Sequence, residues 1–397
     1  MTTPTLPAGP ARRDVVRAFA FAGSGAALAL AMLVALQVIF VRLSWPHVEP
    51  LGDPEFGINF SCNHAEYLLL EDPAKGAEGY VDDTRPGRAE WCAETLGTLL
   101  RGLGAKHVRL SVEWDQVEPR PGEFDFRLID ALLAEAGRSG ATALVSVGAK
   151  AQRHPEFFIP EWALAGTDLS ANAVVDEDPL LRSRILAMIG AVVAHVAASP
   201  AIDSWSADNE PYIPSERADG WRLSREFARL ERETILANDP RRRPVSINHA
   251  QHFVTDRRWR DALEDADILA ASFYPFRNVR ILGRTYVIAI PEIGFMAPNY
   301  AHQARSARAQ GKPFWLTEMQ AEPWVDSDIR LVGPASPSPN LTPDNFRKAM
   351  DYARRTGAER VYLWGSEWWL FQKERYNDPT WWDLARETIS SAGASER

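Results

Sequence analysis

Eight short, mostly apolar runs alternate along this chain with segments of helical spacing. This alternation restricts the fold more than any other feature. The runs fall at residues 56–60, 107–112, 143–147, 203–211, 244–248, 267–274, 313–318 and 359–364. Helical spacing is read over 90–103, 126–136, 180–198, 221–237, 300–310, 343–356 and 382–391. In the first helix, Trp91, Leu96, Leu99, Leu100 and Leu103 recur at helical intervals, and Gly104 ends it. Strands that are apolar on both faces and separated by helices imply a parallel sheet covered by helices. Eight repeats over about 340 residues fit a (β/α)8 barrel. A doubly wound open sheet is the alternative. It is weakened because no glycine fingerprint follows the first strand. Long segments follow strands one, three, six and seven, to Arg88, Asp178, Asn299 and Thr342. In a barrel all four lie on the C-terminal face, and long loops in a compact domain are usually functional.

The N-terminus follows a different pattern. Residues 18–41 carry no charge and are about long enough to cross a bilayer as a helix. Arg12, Arg13 and Arg17 precede the run, Asp14 lies among them, and Arg42 follows. No small-residue cleavage site is evident, so the run reads as an uncleaved signal anchor, with a cleaved signal as the alternative. The arginine bias keeps residues 1–17 in the cytoplasm and exports the rest. Expected organisation is a cytoplasmic tail at 1–17, a transmembrane anchor at 18–41, a linker at 42–54 and the barrel at 55–392. The whole chain has a net charge of −9; residues 1–42 hold four Arg and one Asp, which leaves about −12 beyond them. An acidic ectodomain argues against nucleic acid or an anionic membrane surface as its partner. The two cysteines, Cys62 and Cys92, fall where oxidation is permitted, and a disulfide between them is one reading; two buried thiols are the other. No Cys/His spacing of the zinc type occurs, and no metal or cofactor is expected.

The strand tips carry a consistent set of polar residues. Strand two holds Arg109. Strand four ends in Asn209-Glu210-Pro211, where Pro211 stops the strand and leaves Glu210 at its tip. Strand five ends in Asn248-His249, strand six in Tyr274, strand seven in Thr317-Glu318, and strand eight in Trp364. Glu210 and Glu318 are 108 residues apart in sequence, yet a barrel brings the tips of strands four and seven to one mouth. Two carboxyls facing one pocket suit glycoside cleavage.

From residue 56 to 382 the chain resembles the clan A retaining glycoside hydrolases, a barrel group that includes cellulases, mannanases and β-galactosidases. The resemblance rests on Asn209-Glu210-Pro211 and Thr317-Glu318. Trp114-Asp115-Gln116-Val117-Glu118-Pro119 and Pro121-Gly122-Glu123-Phe124-Asp125-Phe126, after strand two, reinforce it. It implies that Glu210 is the general acid/base, Glu318 the nucleophile, and Asn209 a partner of the sugar 2-hydroxyl. It further implies that Arg109 and Tyr274 hold Glu318 and that Trp364 floors the sugar subsite. Either His249 or Asn248 would contact the sugar or Glu210.

Each residue has a plainer reading. Arg109 could pair with an internal acid, Tyr274 could be a rim aromatic, and Trp364 could be core. His249 is more often a satisfied polar side chain than a catalytic one. Glu113, Glu322 and Glu367 compete as acids near strand tips. Glu322 precedes Pro323 as Glu210 precedes Pro211, and it reads as a substrate-side or loop-fixing acid. Trp114, Trp324, Trp368 and Trp369 are sugar platforms or loop packing. Three functions follow: a membrane-anchored exocellular β-glycosidase acting on a poly- or oligosaccharide, a transglycosylase on the same scaffold, or a barrel that binds glycan without turnover. The last has no need of two opposed acids, although fold alone does not exclude it.

Overall fold

The computed structural model describes residues 12–70, 86–215, 218–251, 256–294, 297–325 and 327–392. Most of the expected cytoplasmic tail and residues 71–85 of the segment after strand one lie outside them. The strands are β1 (Glu55–Phe60), β2 (His107–Val112), β3 (Thr142–Val147), β4 (Ile202–Ser206), β5 (Val245–Ala250), β6 (Ile268–Phe273), β7 (Phe276–Ile281), β8 (Arg284–Ala289), β9 (Phe314–Gln320) and β10 (Arg360–Trp364). Among the described residues, eight of them close into a parallel barrel in the order β1-β2-β3-β4-β5-β6-β9-β10. The open-sheet alternative is thereby excluded. β7 and β8 form an antiparallel hairpin outside the barrel, within the long segment that follows strand six.

The helices, in chain order, are α1 (Arg12–Leu43), α2 (Cys62–Leu69), α3 (Arg88–Leu103), α4 (Trp114–Val117), α5 (Arg127–Arg138), α6 (Glu161–Leu164), α7 (Pro179–Val196), α8 (Arg225–Asn238), α9 (Arg258–Asp265), α10 (Tyr300–Arg308), α11 (Pro343–Thr356), α12 (Ser366–Arg375) and α13 (Thr380–Ala392). Local chemistry explains their limits. Asp178 accepts the Leu181 N–H at the start of α7, and Pro179 occupies a position where no N–H is needed. Thr342 and Pro343 open α11 in the same way, and Gly357, at φ 79°, closes it. α2, α9 and α12 were not anticipated. α2 and α9 have only eight residues each, and α9 carries just three buried residues, too few for a clear apolar stripe. Cys62 of α2 and Cys92 of α3 form a disulfide, with a Cα–Cα distance of 5.5 Å.

The main core lies between the strands and the helical ring. Ile58, Leu110, Val145, Ile247, Leu269 and Leu363 supply it from the sheet. A separate cluster of Leu144, Ile268, Trp315 and Tyr362 takes one residue from each of four strands and fills the barrel interior. At one end of that plug Arg360 bonds Asp203 at 2.8 Å. The opposite, C-terminal end is polar.

α1 leads into the barrel rather than into a free tether. Its residues from Gly25 to Phe40 are exposed apart from half-buried Gln37, whose side chain donates to the Ile293 carbonyl at 3.3 Å. This described apolar run is shorter than the about 20 residues of a bilayer crossing, although the helix itself continues on both sides. The segment read as linker is docked. Trp45 is buried, donates to the Pro298 carbonyl at 2.8 Å and meets Phe273, Tyr300 and Tyr352 edge-on. His47 contacts Glu292 at 2.8 Å.

Candidate active site

Glu318 reaches the interior through a bulge. On β9, Trp315 faces inward, so a regular strand would turn Glu318 outward. Ala271 pairs with Leu316, but the next residue, Ser272, pairs with Glu318. The register skips Thr317 and brings Glu318 inside. There Arg109, fully buried on β2, donates from Nη1 to Glu318 Oε1 at 2.9 Å. The Tyr274 hydroxyl donates to Oε2 at 2.7 Å. Each carboxylate oxygen thus has its own donor. Burial and the neighbouring Glu318 hold the Tyr274 phenol well above its usual range, which keeps it a donor. Arg109 also donates to Asn209 Oδ1 at 2.8 Å and Ser146 Oγ at 3.3 Å.

Glu210 follows β4 with φ 47°, a left-handed conformation that costs a non-glycine residue about 1–3 kcal/mol. Neighbours hold it there. Asn248 Oδ1 accepts the Glu210 N–H at 2.8 Å. Lys150 Nζ donates to the carbonyls of Glu210 and Ile213, both at 3.0 Å. The Lys150 carbonyl accepts the Asn209 N–H at 2.6 Å. Lys150 is placed by Asp208, whose carboxylate accepts its backbone N–H at 2.5 Å. Gly148 makes room for that contact, because a Cβ there would overlap Asp208 Oδ1. Beneath, Glu231 of α8 adjoins Asp208, and burial with that neighbour drives its carboxyl well above the usual range.

Burial pushes the half-buried Glu210 carboxyl up to about 7. The Glu318 charge adds to this, and Lys150 and a Ser272 hydrogen bond oppose it. The mouth therefore holds two acids in different environments: Glu318 with a cation and a hydroxyl on its oxygens, and Glu210 favoured as the protonated form. Such a pair can divide acid and base roles.

The other expected site residues separate into two groups. Asn248, rather than His249, belongs to the site: its Nδ2 donates to Asn209 Oδ1 at 2.8 Å and Ser272 Oγ at 3.4 Å. His249 is one residue further on β5 and faces the helical ring, with Nε2 3.1 Å from Gln303 of α10. Its assignment to substrate is corrected; strand alternation turns it away. Trp364 also departs from expectation. It is buried, its Nε1 donates to Glu322 at 2.8 Å, and the Arg153 guanidinium lies 4.1 Å over its ring. One face of the expected sugar floor is thus already covered by a cation. Asn209 Oδ1 accepts from both Arg109 and Asn248, so its amide N–H groups are what it can offer a sugar hydroxyl.

Glu322 is a loop-fixing acid, bound by Arg153 and Trp364, with His64 3.8 Å away. Glu367 accepts the Ser61 N–H at 2.6 Å and approaches Arg153 at 3.4 Å. Glu113 is buried, and its carboxyl is pushed up to about 7 chiefly by that burial and by Asp115. Trp114, Trp368 and Trp369 are core. Trp324 is 55% exposed and packs edge-on to Tyr274 at 4.9 Å. Lys150 and Arg153 went unread in the sequence. The signal was available: both follow directly on strand three, on the catalytic face.

Comparisons agree with this geometry. Residues 90–219, about a third of the chain, match the glycoside hydrolase family 42 description, "Beta-galactosidase". That span contains Arg109, Asn209 and Glu210. Among solved structures, GH5_18 from Streptomyces cattleya, in complex with GlcNAc, is 17% identical with a TM-score of 0.50, covering 79% of this chain and 70% of that one. The β-galactosidase of the Antarctic haloarchaeon Halorubrum lacusprofundi is 17% identical, with a TM-score of 0.53, over 85% of this chain and 58% of that one. The cold-adapted β-galactosidase of Rahnella sp. R3 is 14% identical, with a TM-score of 0.53, over 87% and 57%. The chain thus spans less than two thirds of either β-galactosidase, and these likenesses establish the fold. A comparison with curated proteins finds no match. The family 42 match over residues 90–219 and the barrel shared with glycoside hydrolases support a glycoside hydrolase, and both are consistent with the clan A group.

Proposed function

We propose that the chain is a retaining β-glycosidase, anchored by α1 and acting outside the cytoplasm. Glu318 attacks the anomeric carbon while the C–O bond to the leaving group breaks and Glu210 gives its proton to the departing oxygen. Glu210, now ionised, takes a proton from water, which attacks the same carbon and releases Glu318. One observation carries this reading: Arg109 and Tyr274 occupy both oxygens of Glu318, whereas burial and the Glu318 charge keep Glu210 protonated up to about pH 7. A nucleophile needs the first environment and a general acid the second. Asn209 would reach the sugar 2-hydroxyl, and Trp324 would stack on a sugar at the mouth.

β-Galactosides are the first substrates to try, because two of the similar folds carry that activity. Glu318→Gln should abolish hydrolysis of the best aryl β-glycoside in a panel. Azide should rescue Glu318→Ala and give the α-glycosyl azide. Near-normal turnover by Glu318→Gln together with loss in Glu322→Gln would remove Glu318 as nucleophile. The anchor rests on the uncharged run 18–41 and the arginines before it. Protease added outside intact cells should digest residues beyond 43. Complete protection there, with digestion after lysis, would refute the exported orientation.

A further inference from the structure

Beside the catalytic mouth lies a cavity of about 490 Å³, within the range of about 300–1,000 Å³ typical of ligand sites. Trp45, Phe273, Val279, Ile288, Ile290 and Pro298 give it a mainly apolar wall. Gln251, Arg277 and Asn278 are polar members of the lining, as are Ser272 and Tyr274. Of these, Ser272 bonds Glu210 and Tyr274 bonds Glu318. The cavity is therefore one side chain away from both carboxyls, and Ser272 links it to the acid that protonates the leaving group. The apolar part of this wall offers a sugar's hydroxyls no partners and suits a hydrocarbon chain.

Three features connect the cavity with a bilayer. Trp45 follows α1 directly, so the wall begins where that helix ends. Gln37 of α1 bonds the carbonyl of Ile293, beside the cavity's Ile290. The β7–β8 hairpin, which contributes Val279 and Ile288, ends in Leu282, 99% exposed, with Ile281 50% exposed beside it. Arg280 and Arg284 flank this tip, and Arg277 lies at the hairpin base; all three are exposed. An apolar tip between arginines suits an interface of acyl chains and anionic headgroups.

We infer that the cavity takes the apolar aglycone chain of a glycolipid, presented from the membrane that holds α1, so that the sugar lies at Glu210 and Glu318. This rests on the glycosidase reading of the same mouth. Hydrolysis would release the free sugar and the lipid alcohol, with water supplying the oxygen and proton.

The test uses the full chain in phospholipid nanodiscs and one sugar carried on methyl, octyl or dodecyl aglycones. The wild type should favour dodecyl over methyl in kcat/KM by about tenfold or more, because each added methylene leaves water. Ile288→Trp, which fills the cavity, should bring the ratio towards one, and Val279→Trp should do the same if the first variant folds poorly. A wild-type ratio near one, or a ratio unchanged in both variants, overturns the inference. A second readout needs no turnover: a dodecyl glycoside with a terminal diazirine should label peptides within 273–298 or the peptide holding Trp45, and Ile288→Trp should lose that label. Labelling confined to other peptides overturns the inference. Labelling as expected without hydrolysis of any glycoside would instead count against the glycosidase reading alone.

Discussion

Replacing Glu210 by Gln should stabilise the protein, and only at neutral and alkaline pH. In the unfolded chain this carboxyl titrates near the ordinary value of 4.5; in the fold it is pushed up to about 7. Below about pH 4.5 both states hold the proton, and the residue contributes no difference. Between 4.5 and 7 the unfolded chain releases a proton that the folded one retains, so stability falls as pH rises. Above 7 the folded state carries the whole cost of an ionised carboxyl beside Glu318. Two and a half pH units at about 1.36 kcal/mol each set a ceiling of about 3 kcal/mol. Glu210 is half-buried, so water screens part of this, and about 1–2 kcal/mol is expected. Glutamine keeps the shape and cannot ionise. At about 2–4 °C per kcal/mol for a large domain, Glu210→Gln should raise Tm by about 2–8 °C at pH 8. It should leave Tm unchanged at pH 4.5. Thermal scans of both proteins across that range decide it without any substrate. A Tm difference that is constant with pH, or largest in acid, would refute the account of Glu210 as an acid held protonated by its surroundings.

Tyr274→Phe removes the donor on Glu318 Oε2. Loss of a hydrogen bond to a charged group, about 1.5–3 kcal/mol, should lower kcat/KM roughly 10- to 100-fold, measured on any active aryl glycoside. His249, buried and held down to about 4, stays neutral in the fold while the unfolded chain protonates near 6.5; it therefore costs stability as pH falls from 6.5 to 4. His249→Gln should relieve that acid sensitivity in thermal scans and keep kcat/KM within about twofold, since the residue faces α10 and not the mouth. Reducing the Cys62–Cys92 bond, which spans 30 residues, should destabilise the fold by about 3–4 kcal/mol, read as a lower Tm in dithiothreitol. An unchanged Tm after a confirmed two-dalton mass gain would show that α2 and α3 are held by packing alone.

The alternation of apolar runs with helical spacing was enough to specify a parallel sheet covered by helices, and it favoured a closed barrel over an open sheet. Both faces of each strand had to be covered, and eight β/α units leave few other arrangements. The sequence also placed Glu210 and Glu318, because Pro211 stops one strand and the other glutamate ends an apolar run. Arg109 and Tyr274 were legible too, the first as a charged residue inside an apolar strand and the second at a strand end. What sequence could not decide is direction and partnership. Asn248 and His249 are adjacent, and only the pleat of β5 sends the first to Glu210 and the second to Gln303. Glu318 faces the site because the register skips Thr317, and bulges leave no mark in composition. Trp364 reads as a sugar floor until Arg153, more than two hundred residues earlier, is found lying over its ring. The β7–β8 hairpin and the apolar cavity beneath it combine Trp45 with residues 272–300, a contact between distant segments that no local pattern announces. Local propensity and periodicity are written along the chain; which side chains share a mouth depends on pairing across it, and tertiary structure alone sets that.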